Sequence, residues 1–297
     1  MTGAERGFLL LSSHLGDAER RPLTTAQLRT LASRMQSAAR LDENRELMPA
    51  DLIALGYNRQ MAEQITFLLS QERLLNDYLK QAANCGCRPI TRVSEGYPLL
   101  LRKRLGLDSP GCLWIKGDAS LLAQPTIALV GSRELLGRNR SFAEEVGRQA
   151  ALQGYVLVSG NARGADKTAQ EACLAAGGQV ISVVADELCK HPSRDNMLYV
   201  SEDGYAEAFT SQRALSRNRI IHTLGLKTFV AQSSLKMGGT WDGTVKNLRG
   251  GWSDVYCFRD GSEAMFLLEQ MGANLIDMDD LESFYDLQNQ EDNLFDR

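Results

Sequence analysis

The chain has only three histidines and seven prolines, and no apolar run approaches the ~18 residues of a membrane helix. The apolar run near its start, Phe8-Leu9-Leu10-Leu11, is too short for a secretory signal. Its six cysteines, Cys85, Cys87, Cys112, Cys173, Cys189 and Cys257, make no zinc set. Only Cys85-Gly86-Cys87 is close-spaced, and no second Cys or His pair completes it. Scattered cysteines with apolar flanks fit a reducing compartment, so the expected location is the cytoplasm. No Ser-His-Asp or Cys-His grouping is visible, and His14, His191 and His222 read as structural. Asp186 and Glu202 are the only carboxylates near strand ends able to pair for acid–base work, and a solvated role suits each better. The sequence therefore assigns no catalytic residue, no metal and no cofactor.

What is present is ordinary for a globular protein: 297 residues, 43% apolar, 24% charged, net charge −4. That length suggests about two domains. Residues 1–88 read as short helices: one after Thr24-Thr25, one from Pro49 to Gly56, and one through Met61, Ile65 and Leu68 towards Leu79. Leu52-Ile53-Ala54-Leu55-Gly56 faintly hints at a helix-hairpin-helix, though a plain helical packing domain fits better. Residues 89–122, punctuated by Pro89, Pro98 and Pro110-Gly111, read as an extended linker packing on the core. From 123 to 276, short apolar strands alternate with helices, which predicts an α/β fold with a parallel sheet. Strands are expected at 126–130, 155–158, 179–184, 206–209, 227–231 and 254–258, and helices at 141–153 and 165–176. Residues 277–297 read as an acidic C-terminal tail.

Four loops at strand ends carry the polar chemistry. Gly131-Ser132-Arg133 offers close backbone approach, a hydroxyl and a phosphate fork; a plain turn with a surface arginine is the alternative. Ser159-Gly160-Asn161-Ala162-Arg163-Gly164-Ala165-Asp166-Lys167 joins a strand to a helix N-terminus, which favours anions. It matches neither G-x-G-x-x-G nor a Gly-Lys-Ser/Thr loop. Arg213, Arg217, Asn218 and Arg219 precede the apolar pair Ile220-Ile221, so they form either a solvated basic face or arginines turned towards a site. Lys236, Gly238, Gly239 and Thr240 make a second candidate phosphate cradle, with Trp241 either stacking on a base or buried in the core.

In order and spacing these loops resemble the DNA-processing protein A family (DprA/Smf) over about residues 90–276. The resemblance runs through Tyr97-Pro98, Gly131-Ser132-Arg133, Ser159-Gly160-x-Ala162-x-Gly164-x-Asp166, Ser201-Glu202, Arg217-Asn218-Arg219-Ile220-Ile221, Gly238-Gly239-Thr240 and Gly272-Ala273. It implies an extended Rossmann-like parallel sheet with a small helical N-terminal domain, SAM-like or helix-hairpin-helix-like. It also implies single-stranded DNA binding, a RecA-type recombinase as partner, a homodimer, and a role as recombination mediator in natural transformation. Gly131, Ser132, Arg133, Ser159, Gly160, Arg163, Gly164, Arg217, Asn218 and Arg219 would line the DNA site. The chain departs from the family at Gln170, where His is usual, at Gln232, where Glu is usual, and in its Gly-Gly-Thr-Trp-Asp-Gly loop. It leaves too few residues after Ala273 for a C-terminal winged helix. It is thus expected to be a divergent, non-enzymatic branch acting on incoming or foreign DNA. The alternative is a nucleotide-binding sensor or a phosphoribohydrolase-like enzyme of the same superfamily. Met237-Gly238-Gly239-Thr240 lacks the Pro and the downstream Glu that such hydrolases carry.

Net acidity disfavours a nucleic-acid partner only until it is divided along the chain. Residues 123–260 carry 16 basic and 14 acidic side chains, whereas residues 261–297 carry 1 and 10. The acidity belongs to the C-terminal segment, which is expected to compete with DNA or dock a basic partner.

Overall fold

The computed structural model describes residues 1–37 and 46–287. Among the described residues five helices come first: α1 (Gly3–Ser12), α2 (Thr25–Ser37), α3 (Pro49–Ala54), α4 (Arg59–Leu69) and α5 (Glu72–Asn84). Their starts follow from local chemistry. Thr2 and Glu5 form a capping box at α1, Pro49 opens α3, and the Asn58 side chain accepts from Met61 N at α4. The helix expected to run from Met61 towards Leu79 is two helices, broken at Ser70-Gln71. Leu23, Leu31, Leu52, Ala62, Ile65 and Leu68 make a small core among α2, α3 and α4. Helices α1 and α5 instead share the core of the sheet that follows, through Leu9, Leu10, Leu75 and Tyr78.

The remaining elements are β1 (Cys87–Thr91), α6 (Leu99–Leu105), β2 (Cys112–Gly117), β3 (Thr126–Val130), α7 (Gly137–Leu152), β4 (Val156–Ser159), α8 (Ala165–Ala175), β5 (Gln179–Val183), β6 (Met197–Ser201), α9 (Ser211–Ser216), α10 (Asn218–Leu224), β7 (Lys227–Val230), α11 (Gly238–Gly250), β8 (Asp254–Phe258), α12 (Glu263–Gln270) and β9 (Asn274–Ile276). Nine strands form one sheet in the order β1-β2-β6-β5-β4-β3-β7-β8-β9. From β6 to β9 every pairing is parallel; β1–β2 and β2–β6 are antiparallel. The parallel α/β class read from the sequence is therefore the observed one, in a Rossmann-like order extended at both edges.

Both faces of the sheet are covered, which is why strands such as Thr126–Val130 are apolar on successive residues rather than alternating. Phe142, Val146, Ala169, Phe229, Tyr256 and Phe258 fill one face; Leu101, Leu113, Ile220, Val230 and Leu268 fill the other.

Three sequence expectations are corrected. Residues 206–209 form no strand; the strand is Met197–Ser201, buried throughout. Segment 206–209 has no strand beside it, and the carbonyls of Glu207 and Ala208 are taken by the Arg213 guanidinium. The stretch read as an extended linker supplies α6 and β2 and completes β1, because β2 covers the open edge of β6. The acidic segment begins as packed structure: Leu281 and Phe284 are fully buried, the latter against Phe229 at 4.8 Å between ring centroids. A truncation from residue 284 would remove a core aromatic, costing about 3–5 kcal/mol. Residues 288–297, the rest of the expected tail, lie outside the described residues.

Candidate functional site

The chain runs β3, β4, β5, β6 to one side and then returns to place β7 on the other side of β3. In open α/β sheets the binding crevice lies at such a reversal, beyond the carboxyl ends of the strands. Here Gly131 leaves β3, Gly160 leaves β4 and Ala231 leaves β7, and a cleft of about 430 Å³ opens among them. Its lining includes Gly131, Ser132, Arg133, Ala162, Asp166, Arg217, Asn218, Gly238, Gly239 and Thr240.

The loops are locked together by their backbones. Ser132 N donates to the Gln232 carbonyl at 2.9 Å, and Ala165 N donates to the Ser132 carbonyl at 3.1 Å. Gly164 has φ +84°, and a Cβ there would strike the Ser132 and Arg133 carbonyls. Only glycine fits this position on both counts. Gly131 lines the cleft and has a packing role besides. The space beside its Cα is filled by Ala165 and Ala231, so glycine is needed to seat α8 and β7 against β3.

Arg217 is the centre of the cleft. It links α9 to α10, is 8% exposed, and lies across Gly160, where any Cβ would strike its guanidinium. Its Nη2 is 3.8 Å from Asp166 Oδ2, which also accepts from Ala162 N at 3.2 Å. Arg217 Nε and Nη1 have no acceptor among the described residues. Burial raises the Asp166 carboxyl above its ordinary range, with Arg217 opposing; burial likewise lowers Arg217, with Asp166 opposing. A buried cation with unused donors is costly unless an acceptor arrives. The N-terminus of α11 also meets the cleft without a side-chain cap, leaving backbone donors towards it. Helix α8 adds the positive end of a second helix dipole, although its Ala165 and Lys167 amides already donate to the carbonyls of Ser132 and Ala162. The arrangement suits an anion.

A smaller recess of about 270 Å³ adjoins the cleft and shares Arg133, Ala162 and Arg217 with it. Asn161, Arg163, Asp186 and the half-exposed Phe209 complete its walls. Arg133 is exposed and has no side-chain partner among the described residues. Arg163 meets Glu134 at 3.2 Å, with both side chains largely in solvent.

Other predicted site residues face elsewhere. Arg213 is engaged by Asp203 at 2.7 Å, by Ser201 Oγ, and by the carbonyls of Ala185, Glu207 and Ala208. It braces the loop after β6 rather than lining the cleft. Arg219 is held by Glu202 and the Asp108 carbonyl. Lys167 and Lys236 are exposed and line neither recess, Ser159 is buried at the end of β4, and Trp241 packs on the core. Asp186 pairs with His191 at 2.8 Å, so the two carboxylates considered for acid–base work serve separate partners.

Sequence reasoning noted Gln170 and Gln232 only as departures from a family pattern and missed Asn139, so the role of these side chains in holding the loops in place was not seen. Gln170 donates to the Gly160 carbonyl from beneath the loop. Gln232 accepts from Leu136 N at 2.9 Å and donates to the Glu134 carbonyl at 3.2 Å. Asn139, 1% exposed, donates to the Ala231 carbonyl at 2.8 Å and to Asp260 at 2.7 Å. For Asn139 and Gln170 the signal in the sequence is a polar residue on the buried face of a helix, whereas Gln232, in the loop after β7, gives none.

Comparison with known proteins places this architecture. The chain is 31% identical over 182 residues to the DNA processing protein DprA of Streptococcus pneumoniae, covering 57% of this chain and 64% of that protein. It is 31% identical over 156 residues to protein Smf of Escherichia coli, covering 49% and 41%. The chain thus spans less than two thirds of the length of these relatives. The crystal structure of DprA from S. pneumoniae superposes with a TM-score of 0.72 at 24% identity, covering 97% of this chain and all of that one. A structure of DNA processing protein A from Helicobacter pylori, titled for its single-stranded DNA binding mode, superposes with a TM-score of 0.55 at 21% identity over 71% of this chain and 96% of that one. The family model for DNA recombination-mediator protein A matches residues 88–246, more than half of the chain and every loop of the cleft. By that match, which spans the sheet's reversal and the loops around it, the chain belongs to the DNA recombination-mediator protein A family.

Proposed function

We propose that the chain binds single-stranded DNA through the cleft and acts as a non-enzymatic, cytoplasmic recombination mediator on incoming or foreign DNA. The observation that carries this reading is Arg217, buried beside Asp166 with two guanidinium nitrogens unsatisfied. A phosphodiester would supply the missing acceptors, with Arg133 and Arg163 at the rim holding flanking phosphates. Family membership supports DNA as the polyanion. A homodimer and a RecA-type recombinase as partner belong to the same reading. The hydrolase alternative has less support, since the one carboxylate lining the cleft among the described residues, Asp166, is buried and paired with Arg217.

Anisotropy with labelled oligo-dT and a duplex of equal length, over a salt series, tests the proposal. Tighter binding of the single strand is expected, weakening linearly in log–log form as salt rises. Preference for the duplex, or tight binding of AMP or ADP-ribose without oligo-dT binding, would overturn it.

A further inference from the structure

Arg219 turns away from the cleft. Its neighbours Arg217 and Asn218 line the cleft, whereas Arg219 lines a separate groove of about 510 Å³ with Arg104, Thr25 and Asp108. Thr25 and Asp108 also line a third recess, of about 630 Å³, whose wall is the α2 face bearing Arg29, Thr30, Ser33 and Arg34. The shared residues join these two recesses into one groove, running from Arg219, the chain neighbour of the cleft residue Asn218, to the helical N-terminal region.

Its chemistry is mainly basic. Among the described residues, Arg29, Arg34, Arg104 and Arg219 line it with one carboxylate side chain, Asp108, and Arg219 also pairs with Glu202. Arg104 donates to the carbonyls of Thr223 and Gly225, which fix its position without neutralising it. Arg29 is exposed and has no ion-pair partner among the described residues. Thr25, Thr30, Ser33 and Ser109 add neutral hydroxyl groups, of which those of Thr30 and Ser109 donate to the carbonyls of Ala26 and Gly106. A groove lined by arginines and hydroxyls, open along its length, matches a flexible polyphosphate chain better than a compact anion.

We infer that a single strand leaving the cleft past Arg219 continues along this groove, so that α2 of the helical N-terminal region forms the far half of the DNA track. This rests on the cleft being a single-strand site. Helix α2 is thereby a binding surface as well as a packing element.

The test uses the whole chain and oligo-dT of about 6 and about 20 nucleotides, a range bracketing single-strand site sizes. Arg29→Glu, on an exposed position, is expected to weaken the longer oligonucleotide about 5- to 10-fold and to leave the shorter one unchanged. Arg29→Ala should lower the log–log salt slope by about 0.7 on the longer strand, the contribution of one phosphate contact. Lys80→Glu, at an exposed position of α5, is the control for net charge. Equal losses at both lengths, or a loss no larger than that of Lys80→Glu, would overturn the groove and leave the cleft standing. Failure of the unaltered chain to bind either length would overturn both.

Discussion

Two sets of arginines meet at the end of this sheet, and they are used in opposite ways. Around the cleft, Arg217 is buried with donors unspent and Arg133 stands at the rim without a side-chain partner among the described residues. A few residues away, Arg213 is saturated by Asp203, Ser201 and three carbonyls, as the buried Arg20 is by Gln71 and the carbonyls of Leu10 and Ser13. The residue type and the local sequence density are the same. What differs is how many acceptors the fold supplies. An arginine whose donors are met inside the protein is a brace; one left short of acceptors in a buried place is a receptor.

The largest effect that would break this contrast is on stability. Arg213→Ala is expected to destabilise the fold by about 3 kcal/mol, since it orphans Asp203 and three carbonyls at once. Binding per folded molecule should change less than twofold. Urea unfolding paired with anisotropy at low temperature reads both, and a large binding loss with unchanged stability would erase the distinction. Next is the reverse case. Asp166→Asn alone should leave single-strand binding near normal, because it removes a carboxylate and keeps Arg217. Adding Arg217→Gln to it should weaken binding about 30-fold, or about 2 kcal/mol. The paired design avoids leaving a buried carboxylate alone, so the melting temperature of the double variant checks that the fold persists.

The two sets of arginines also mark where sequence reading stops. Strands 126–130, 227–230 and 254–258 were legible because a continuous apolar run between turn residues has few other uses in a soluble chain. Strand β6 was misplaced and β2 was read as linker for one common reason. Each covers the other's edge, antiparallel and far apart in sequence, and neither segment announces that partner locally. The cleft loops were legible for a similar reason to the strands, since glycines and hydroxyls after a strand and before a helix point to the crevice of a parallel sheet. The division of labour among Arg213, Arg217 and Arg219 was not. It depends on carbonyls contributed by residues 108, 185, 207 and 208, and acceptor supply is a tertiary quantity. The bracing role of Gln170 and Gln232, noted only as departures from a family pattern, and that of Asn139 escaped notice for the same reason.

A smaller effect separates stability from binding along the pH axis. His222 lies on α10, the helix that Arg217 opens, and is fully buried. Asn247 donates to its Nδ1 at 3.2 Å, and burial pushes its pKa down to about 3. A depressed histidine stays neutral in the folded chain while the unfolded chain takes up a proton below about pH 6.5. Stability is therefore whole above that pH and lost as pH falls towards 3, by about 1.4 kcal/mol at pH 5.5. His222→Gln should flatten this slope in urea titrations between pH 7 and 5.5 (about the histidine range) without altering single-strand affinity at pH 7. A slope that survives the substitution would place the titration elsewhere.

The smallest effect tests the rim, where neither brace nor receptor describes the arginine well. Arg163 and Glu134 pair at 3.2 Å, but their side chains are 73% and 85% exposed. Such a pair contributes at most about 0–1 kcal/mol to stability, so Glu134 does little for the fold. Towards a polyphosphate it acts only as a competitor, a negative charge on the one cation that rims the smaller recess from its own loop. Glu134→Gln should therefore leave the melting temperature unchanged and tighten single-strand binding about 2- to 3-fold at low salt. The gain should fade as the Debye length shrinks below about 10 Å at 0.1 M salt and above, because the competition is through solvent. Unchanged or weaker binding at low salt would mean that Arg163 does not reach the DNA, and would confine the receptor to Arg217 and Arg133.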